Sequence, residues 1–428
     1  MQDPTAAPHS VQNTNTQVLL QNAAAALLTR LGTLGVDYIF ANSGTDFPPI
    51  IEGLAEAAAR DAVLPHALVM PHEHAAMGMA HGYYLATGRA QAVMAHTNVG
   101  LANTAIGALN AAIENIPTLI FSGRTPVLEQ GRLGARTVPI TWGQEMRDQA
   151  AYMREAVKWD YELRFPEQVC DVVDRAFAIA NSSPRGPVYL SLPREVLCQP
   201  YAGADPGRPL SMQPAHPAPQ AHALEQAADL LARAKRPVII AQRGAGSREG
   251  FIALSEMAQT WSIPVLHYWA LRLAIPSAHS MFVSADPGPW LSEADLVLAI
   301  DSMAPWSPAI HGIDADCKVI SLAPDPLFAR VPIRTFRSDI ALVGDVAPTL
   351  ITLQKALRAR EAKHIAAAEM RREDTTARIA QLRSDAITKA KAGSGTPMSK
   401  SWVSLCLSQA ISGKSAAVLS ELGCPLEP

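Results

Sequence analysis

Short, wholly apolar segments recur along this chain, and each is separated from the next by a stretch with helical spacing. Asp37-Tyr-Ile-Phe-Ala41, His66-Ala-Leu-Val-Met70, Gln91-Ala-Val-Met-Ala95 and Thr118-Leu-Ile-Phe-Ser122 are the first four. A strand that is apolar on both sides must be covered on both faces, which a parallel sheet between helical layers provides. The intervening helices are legible. Leu19, Leu20, Ala23, Ala24, Leu27, Leu28 and Leu31 share one face, and Gly32 and Gly35 sit where that helix stops. Asp46 followed by Pro48 and Pro49 predicts an N-cap and first turn for a helix through Ala59. Further helices are predicted over Glu73 to Thr87, closed by Gly88, and over Leu101 to Asn115. The fold class is therefore α/β with doubly wound parallel sheets. Such sheets place ligands at the carboxyl ends of their strands.

At 428 residues the chain is too long for one ordinary domain. A tail is predicted to be disordered over 1–16, and the first domain runs over 17–198, ending on the strand Gly186-Pro-Val-Tyr-Leu-Ser-Leu-Pro193. Residues 199–220 are Pro- and Gly-rich without periodicity and read as a linker. A second α/β pattern spans 221–357, with strands at Pro237-Val-Ile-Ile-Ala241, Asp295-Leu-Val-Leu-Ala-Ile300 and Lys318-Val-Ile-Ser-Leu322. Residues 358–397 read as a charged, solvated helix and a break. Over 398–428 an amphipathic segment and one strand, Ala416-Ala-Val-Leu-Ser420, are too short to form a domain. They are expected to be the truncated start of a third.

Composition narrows the function. Hydrophobic residues make up 48% and charged residues 18%, which excludes a disordered chain. The net charge is 36 − 39 = −3 with no basic run, so neither nucleic acid nor an anionic membrane is an expected partner. No apolar stretch is long enough for a membrane span. Five scattered cysteines without a CxxC and a polar N-terminus fit a cytoplasmic protein with reduced thiols.

The residues with chemical potential sit at strand ends. Glu73 opens a helix rich in small residues (Ala75, Ala76, Gly78, Ala80, Gly82), which admit a close backbone or a flat ligand. On position alone it is equally a carboxylate favoured by the helix dipole. His96 follows a buried strand, where it either transfers protons near neutral pH or bonds a loop carbonyl. Asn103 reads a ligand edge or caps a turn, and Gly44-Thr45-Asp46 faces a ligand or caps a helix. His72 and His74 point apart, which argues against a metal pair. Arg243-Gly-Ala-Gly246-Ser-Arg-Glu-Gly250 is one residue too long for a dinucleotide glycine fingerprint. Asp301 and Asp325, at strand ends, bind ribose or cap turns.

Taken in order, several segments resemble the thiamine diphosphate-dependent enzymes of the acetolactate synthase and benzoylformate decarboxylase group. They are Phe40-Ala-Asn-Ser-Gly-Thr45, Glu73-His-Ala-Ala-Met-Gly-Met-Ala-His-Gly-Tyr83, Thr97-Asn-Val-Gly-Leu-Ala-Asn103, Ile116-Pro-Thr-Leu-Ile-Phe-Ser-Gly123, Gly186-Pro-Val-Tyr-Leu-Ser-Leu-Pro193 and Ala234-Lys-Arg-Pro-Val-Ile-Ile240. The resemblance implies a pyrimidine-binding domain, a central domain and a diphosphate-binding domain, acting on 2-oxo acids by decarboxylation with or without carboligation. Glu73 matches the family's catalytic glutamate, which hydrogen-bonds N1′ of the aminopyrimidine. His96 matches a histidine of the benzoylformate decarboxylase type and favours decarboxylation. Thr45 matches a substrate-facing serine, with Gly44 beside it at the cofactor, and Asn103 matches an asparagine near the pyrimidine. Arg124 stands where synthases tend to carry Gln, which departs from the acetolactate pattern.

The resemblance also implies Mg²⁺ holding the diphosphate through a Gly-Asp-Gly triplet and a later Asn. This chain has no such triplet, and Gly344-Asp345-Val346 falls in the central region. The metal ligands are therefore expected in a missing domain. The chain alone is expected to hold half of each site, with negligible decarboxylase activity and weak cofactor affinity, and the site is expected at a homodimer or homotetramer interface. FAD in the central domain stays open. So does a second reading, a catalytically incomplete fragment that binds FAD or regulates a relative.

Overall fold

The structure, a computed structural model, describes residues 21–284 and 286–419. The predicted tail over 1–16, the first residues of the first predicted helix and Ser420 lie outside them. The chain divides into two compact units between Ala215 and His216.

The first unit is built on one six-stranded parallel sheet in the order β2-β1-β3-β4-β6-β5. Its elements are α1 (Ala23–Thr33), β1 (Tyr38–Ala41), α2 (Pro48–Ala58), β2 (His66–Val69), α3 (Glu73–Thr87), β3 (Gln91–Ala95) and α4 (Thr97–Ile113). β4 (Thr118–Arg124), α5 (Ile140–Gly143), β5 (Asp160–Glu162), α6 (Val169–Asn181), β6 (Val188–Pro193) and α7 (Arg194–Leu197) follow. β1 pairs β2 on one side and β3 on the other. The chain thus reverses direction across the sheet between β1 and β3, and the carboxyl ends of those two strands flank the crevice where doubly wound sheets bind ligands. β3 and β6 are buried at every position, as their apolar sequences require. β2 departs from that rule: it is an edge strand exposed at all four residues, with Val69 84% exposed. β5 is not legible in the sequence, because Asp160-Tyr-Glu162 carries two charges in three residues.

The predicted linker is not a free tether. Arg30, fully buried, pairs with Asp174 at 2.6 Å and donates to the carbonyls of Pro206, Arg208 and Pro209. Ser211 adds a hydroxyl bond to Asp174 at 2.7 Å. These charge-assisted bonds fasten residues 206–211 to the first unit, so the Pro-rich composition marks a segment without helix or strand rather than a mobile one.

The second unit carries α8 (Ala221–Arg233), β7 (Pro237–Ala241), α9 (Arg248–Trp261), β8 (Val265–His267), β9 (Phe282–Ser284), α10 (Gly288–Leu291), β10 (Leu296–Ile300), β11 (Lys318–Ala323), β12 (Ile340–Val343), α11 (Val346–Arg358), α12 (Glu361–Ala392) and α13 (Lys400–Ile411). Its parallel sheet runs β12-β11-β10-β7-β8-β9. The charged stretch forms α12, which is exposed or partly exposed at most of its residues, with two of its arginines bonded to other helices. Arg371 donates to the carbonyls of Ala234 and Trp261, and Arg372 to that of Thr260, all at or next to the C-termini of α8 and α9. Helix ends leave such carbonyls without intrahelical partners. The predicted strand at 416–420 is not formed over the described part, residues 416–419.

Candidate active site

Two pairs of side chains occupy the crevice of the first unit. The first is Glu73, at the start of α3, with Asn103 on α4. Glu73 is buried, and Asn103 Nδ2 donates to its Oε2 at 3.0 Å. The other oxygen lies over Gly100 of α4, where a Cβ would come within 2.7 Å of Oε1. α3 is N-capped by His72, whose Nδ1 accepts from the His74 amide at 3.1 Å. That leaves the Glu73 carboxylate to turn toward α4 rather than cap its own helix. The small residues of α3 divide between two faces: Ala76 and Ala80 are buried in the core, while Gly78 and Gly82 face open space.

The second pair is His96, between β3 and α4, and Asp46, between β1 and α2. Asp46 Oδ1 accepts from His96 Nδ1 at 2.5 Å, and its Oδ2 accepts from the Thr97 amide at 3.2 Å. Asp46 therefore does not cap α2, as its position before Pro48 predicts. Phe47 is the α2 cap residue, without a side-chain bond, and the Asp46 carboxylate caps α4 across the crevice. Gln144, just past α5, places its amide nitrogen 3.3 Å from His96 Nε2. The Asp46 hydrogen bond raises the His96 imidazole above its ordinary value against the opposing effect of burial, and the charges of Asp46 and Glu73 add to the rise.

Glycines make this packing possible. A Cβ on Gly44 would fall 2.2 Å from His96 Nδ1, and one on Gly123 would fall 1.6 Å from Asp46 Oδ2. Gly123 is held from below by Gln149, whose amide donates to the Gly123 carbonyl and to Ser122 Oγ, both at 2.8 Å. The two pairs share one helix. The Gly100 amide donates to the His96 carbonyl at 2.8 Å, while the same glycine makes room for Glu73.

Of the residues singled out from sequence, Glu73, Asn103, His96 and Gly44 converge here. Thr45 is exposed, and its carbonyl accepts from Arg194 at 3.0 Å. Asp46, which the sequence leaves open between a ligand-facing turn and a helix cap, joins the first four, while nothing in the sequence marks Gln144, Gly100 or Gly123 as site residues. Arg124, the departure from the synthase pattern, is buried and tied to Glu145 and Glu162. Among the described residues no group of three or more His, Cys, Asp and Glu converges as a metal would need. In the second unit, Arg243 pairs with Asp301 at 2.8 Å between the ends of β7 and β10. Asp325 accepts from the Ala329 amide as a turn cap. Gly244 and Gly246 have φ of 77° and 80°, and a Cβ on Gly246 would meet the Ala347 amide at 2.9 Å. Backbone conformation and packing account for both glycines.

Comparison with known proteins follows this division. Residues 21–152 match the family described as thiamine pyrophosphate enzyme, N-terminal TPP binding domain, and residues 224–353 match thiamine pyrophosphate enzyme, central domain. "Probable 2-ketoarginine decarboxylase AruI" of Pseudomonas aeruginosa is 30% identical over 85% of this chain and 61% of its own length. An acetolactate synthase of Mycobacterium bovis is 27% identical over 78% of this chain and 53% of its own. The chain thus spans between about half and three fifths of these relatives. In fold it is similar to a Rhodococcus jostii thiamine diphosphate-dependent 4-hydroxybenzoylformate decarboxylase, with a TM-score of 0.63, 20% identity, and coverage of 78% of this chain and 62% of that one.

Proposed function

Because the chain belongs to the thiamine pyrophosphate-dependent enzyme family, we propose that it serves the decarboxylation of a 2-oxo acid, with Glu73 and His96 as its acid–base groups. The observation that carries this reading is the Glu73–Asn103 pair over Gly100, in the same crevice as His96. A buried carboxylate with one oxygen bonded and the other against an open glycine fits a ring nitrogen of an aminopyrimidine. Gly44, Glu73 and Asn103 would hold that half of thiamine diphosphate. Bound there, the cofactor supplies the electron sink that loss of carbon dioxide requires. Glu73 holds or yields a proton at its carboxylate, and Asn103 fixes the orientation of that carboxylate. His96, protonated to higher pH than a free imidazole, presents Nε2 as the atom that hands a proton over, which favours release of the aldehyde over carboligation.

No set of described residues fits Mg²⁺, so nothing here is assigned to the metal. Thr45 remains in the reading as a substrate-facing residue at the rim. A homo-oligomer with the site at its interface is supported by the exposed apolar residues Val69, Met79, Val99 and Ile106, which come from β2, α3 and α4. No helix among the described residues is long and apolar enough to cross a membrane.

The test is carbon dioxide release from pyruvate, benzoylformate and 2-ketoarginine, with thiamine diphosphate, Mg²⁺ and a relative's diphosphate-binding domain supplied. Release that depends on the cofactor is expected from at least one substrate. Glu73→Gln should lower it by about 10²–10⁴, the usual worth of acid–base assistance. Near-wild-type turnover in that variant removes Glu73 from the chemistry.

A further inference from the structure

We propose that Asp46 is a positioning residue that braces the site: one oxygen fixes His96 in its Nδ1-protonated form, and the other fixes the first turn of α4, which carries Gly100 and Asn103 against Glu73. The structural half stands on geometry alone, and the catalytic consequence rests on the reading of His96 given above.

The carboxylate is 4% exposed and fully engaged, by His96 Nδ1 at 2.5 Å and the Thr97 amide at 3.2 Å. A carboxylate only accepts hydrogen bonds, so the imidazole must donate from Nδ1. Nε2 is then the atom left for a substrate or for Gln144. Thr97 has φ of 37°, in the left-handed region that a β-branched residue rarely enters. The bond to its amide comes from the residue that also holds the ring, so the strained turn and the ring orientation are set together. Gly123 shows how closely the brace is fitted, since a single added carbon there would occupy the position of Oδ2. The charged groups facing His96 are Asp46, from the turn after β1, and Glu73, from the start of α3. Both act in the same direction on the ring.

Two substitutions separate the two functions of the brace. In Asp46→Asn, the Thr97 amide still needs an acceptor, so the asparagine oxygen turns to it and the amide NH₂ faces His96 Nδ1. The ring must then accept at Nδ1 and carry its proton on Nε2, where Gln144 meets it by reversing its own amide. In Asp46→Ala both ties are lost. Long-range ¹H–¹⁵N NMR of the histidine-labelled chain reads the tautomer and titration midpoint of His96, and hydrogen exchange reads the Thr97–Gly100 amides.

Wild type is expected as the Nδ1–H form when neutral, with a midpoint above about 6.5. Asp46→Asn should show the Nε2–H form and a midpoint lower by about one unit or more, with exchange in the turn unchanged. Asp46→Ala should lower the midpoint and speed exchange by about fivefold or more, as loss of a helix cap does. A wild-type ring found as Nε2–H overturns the proposal. So does an Asn variant that keeps Nδ1–H with an unmoved midpoint, or an Ala variant whose exchange is unchanged. Should either variant fail to fold, the wild-type tautomer and midpoint decide the matter. None of these measurements depends on turnover, so failure here is distinguishable from absence of carbon dioxide release.

Discussion

Consider alanine at position 100. Its methyl carbon would sit 2.7 Å from Glu73 Oε1, about 0.7 Å inside the 3.4 Å at which ordinary contact begins. The next neighbour, Ala95 Cβ, would lie at 3.2 Å and needs to give only slightly. The clash therefore falls on the far end of a flexible side chain, and the Glu73 carboxylate moves while the backbone stays. Stability should fall modestly. Removing a glycine from the helix gains ~0.5–1 kcal/mol, which partly offsets the weakened Asn103 bond and the squeeze on Ala95. A net loss of up to about 2 kcal/mol is, for a unit of this size, a melting drop of no more than about 8 °C. Function should change much more. The displaced carboxylate weakens the Asn103 bond, a charge-assisted contact worth about 1.5–3 kcal/mol. Misplacing a reacting group by ~1 Å can cost up to ~10²-fold in rate. The assay pairs a thermal melt of the chain with cofactor-dependent carbon dioxide release. A folded variant with wild-type turnover would show that Oε1 is not held over Gly100. A melting drop of more than about 10 °C would show that the backbone takes the clash instead.

Gly44→Ala should act on the other pair. A carbon 2.2 Å from His96 Nδ1 forces the ring off Asp46. In wild type, a rate that needs protonated Nε2 persists at low pH and falls as pH rises through the raised His96 value. In the variant that fall should move to lower pH, and an unmoved pH–rate profile would contradict the assignment. Arg30→Met should cost the first unit about 1.5–3 kcal/mol in urea unfolding, because it removes one of the two arginines paired with the buried Asp174 and leaves only Arg208 and Ser211 on that carboxylate. Burial alone would raise the Asp174 carboxyl, but the bonds from Arg30 and Ser211 hold it below its ordinary value. The stability it contributes is therefore present above the unfolded carboxyl value near 3.9 and is lost as pH falls through the folded one. Arg30→Met should flatten that acid limb.

The fold was largely legible, because a parallel sheet writes its strands as apolar runs and its turns as Gly and Pro. The strands that escaped were those where that rule relaxes. β5 carries Asp160 and Glu162, β8 and β9 are only three residues long, and β12 is an edge strand buried at one residue of four. β2 is legible as a strand, but its sequence cannot say that it lies at an edge. The helix over 361–392 is exposed or partly exposed at most of its residues, and what no local pattern reveals is that Arg371 and Arg372 bond carbonyls at the ends of other helices.

The site divides along the same line. Glu73, His96 and Asn103 stand at strand ends or in motifs, where local sequence points. Asp46 is fifty positions from His96, and its local context, an acid before two prolines, is that of a helix cap. It caps a helix, but a different one, because the crossover topology sets the ends of β1 and β3 side by side. The glycines held the missing information in another form. Gly44 leaves room for the His96 ring, Gly100 for the Glu73 carboxylate and Gly123 for the Asp46 carboxylate. None of the three has the positive φ that usually explains a glycine. In this crevice, the space left by each missing side chain is filled by a neighbouring polar group, and Gly123 in this way marks where the Asp46 carboxylate goes, which the turn Gly44-Thr45-Asp46 leaves open in the sequence.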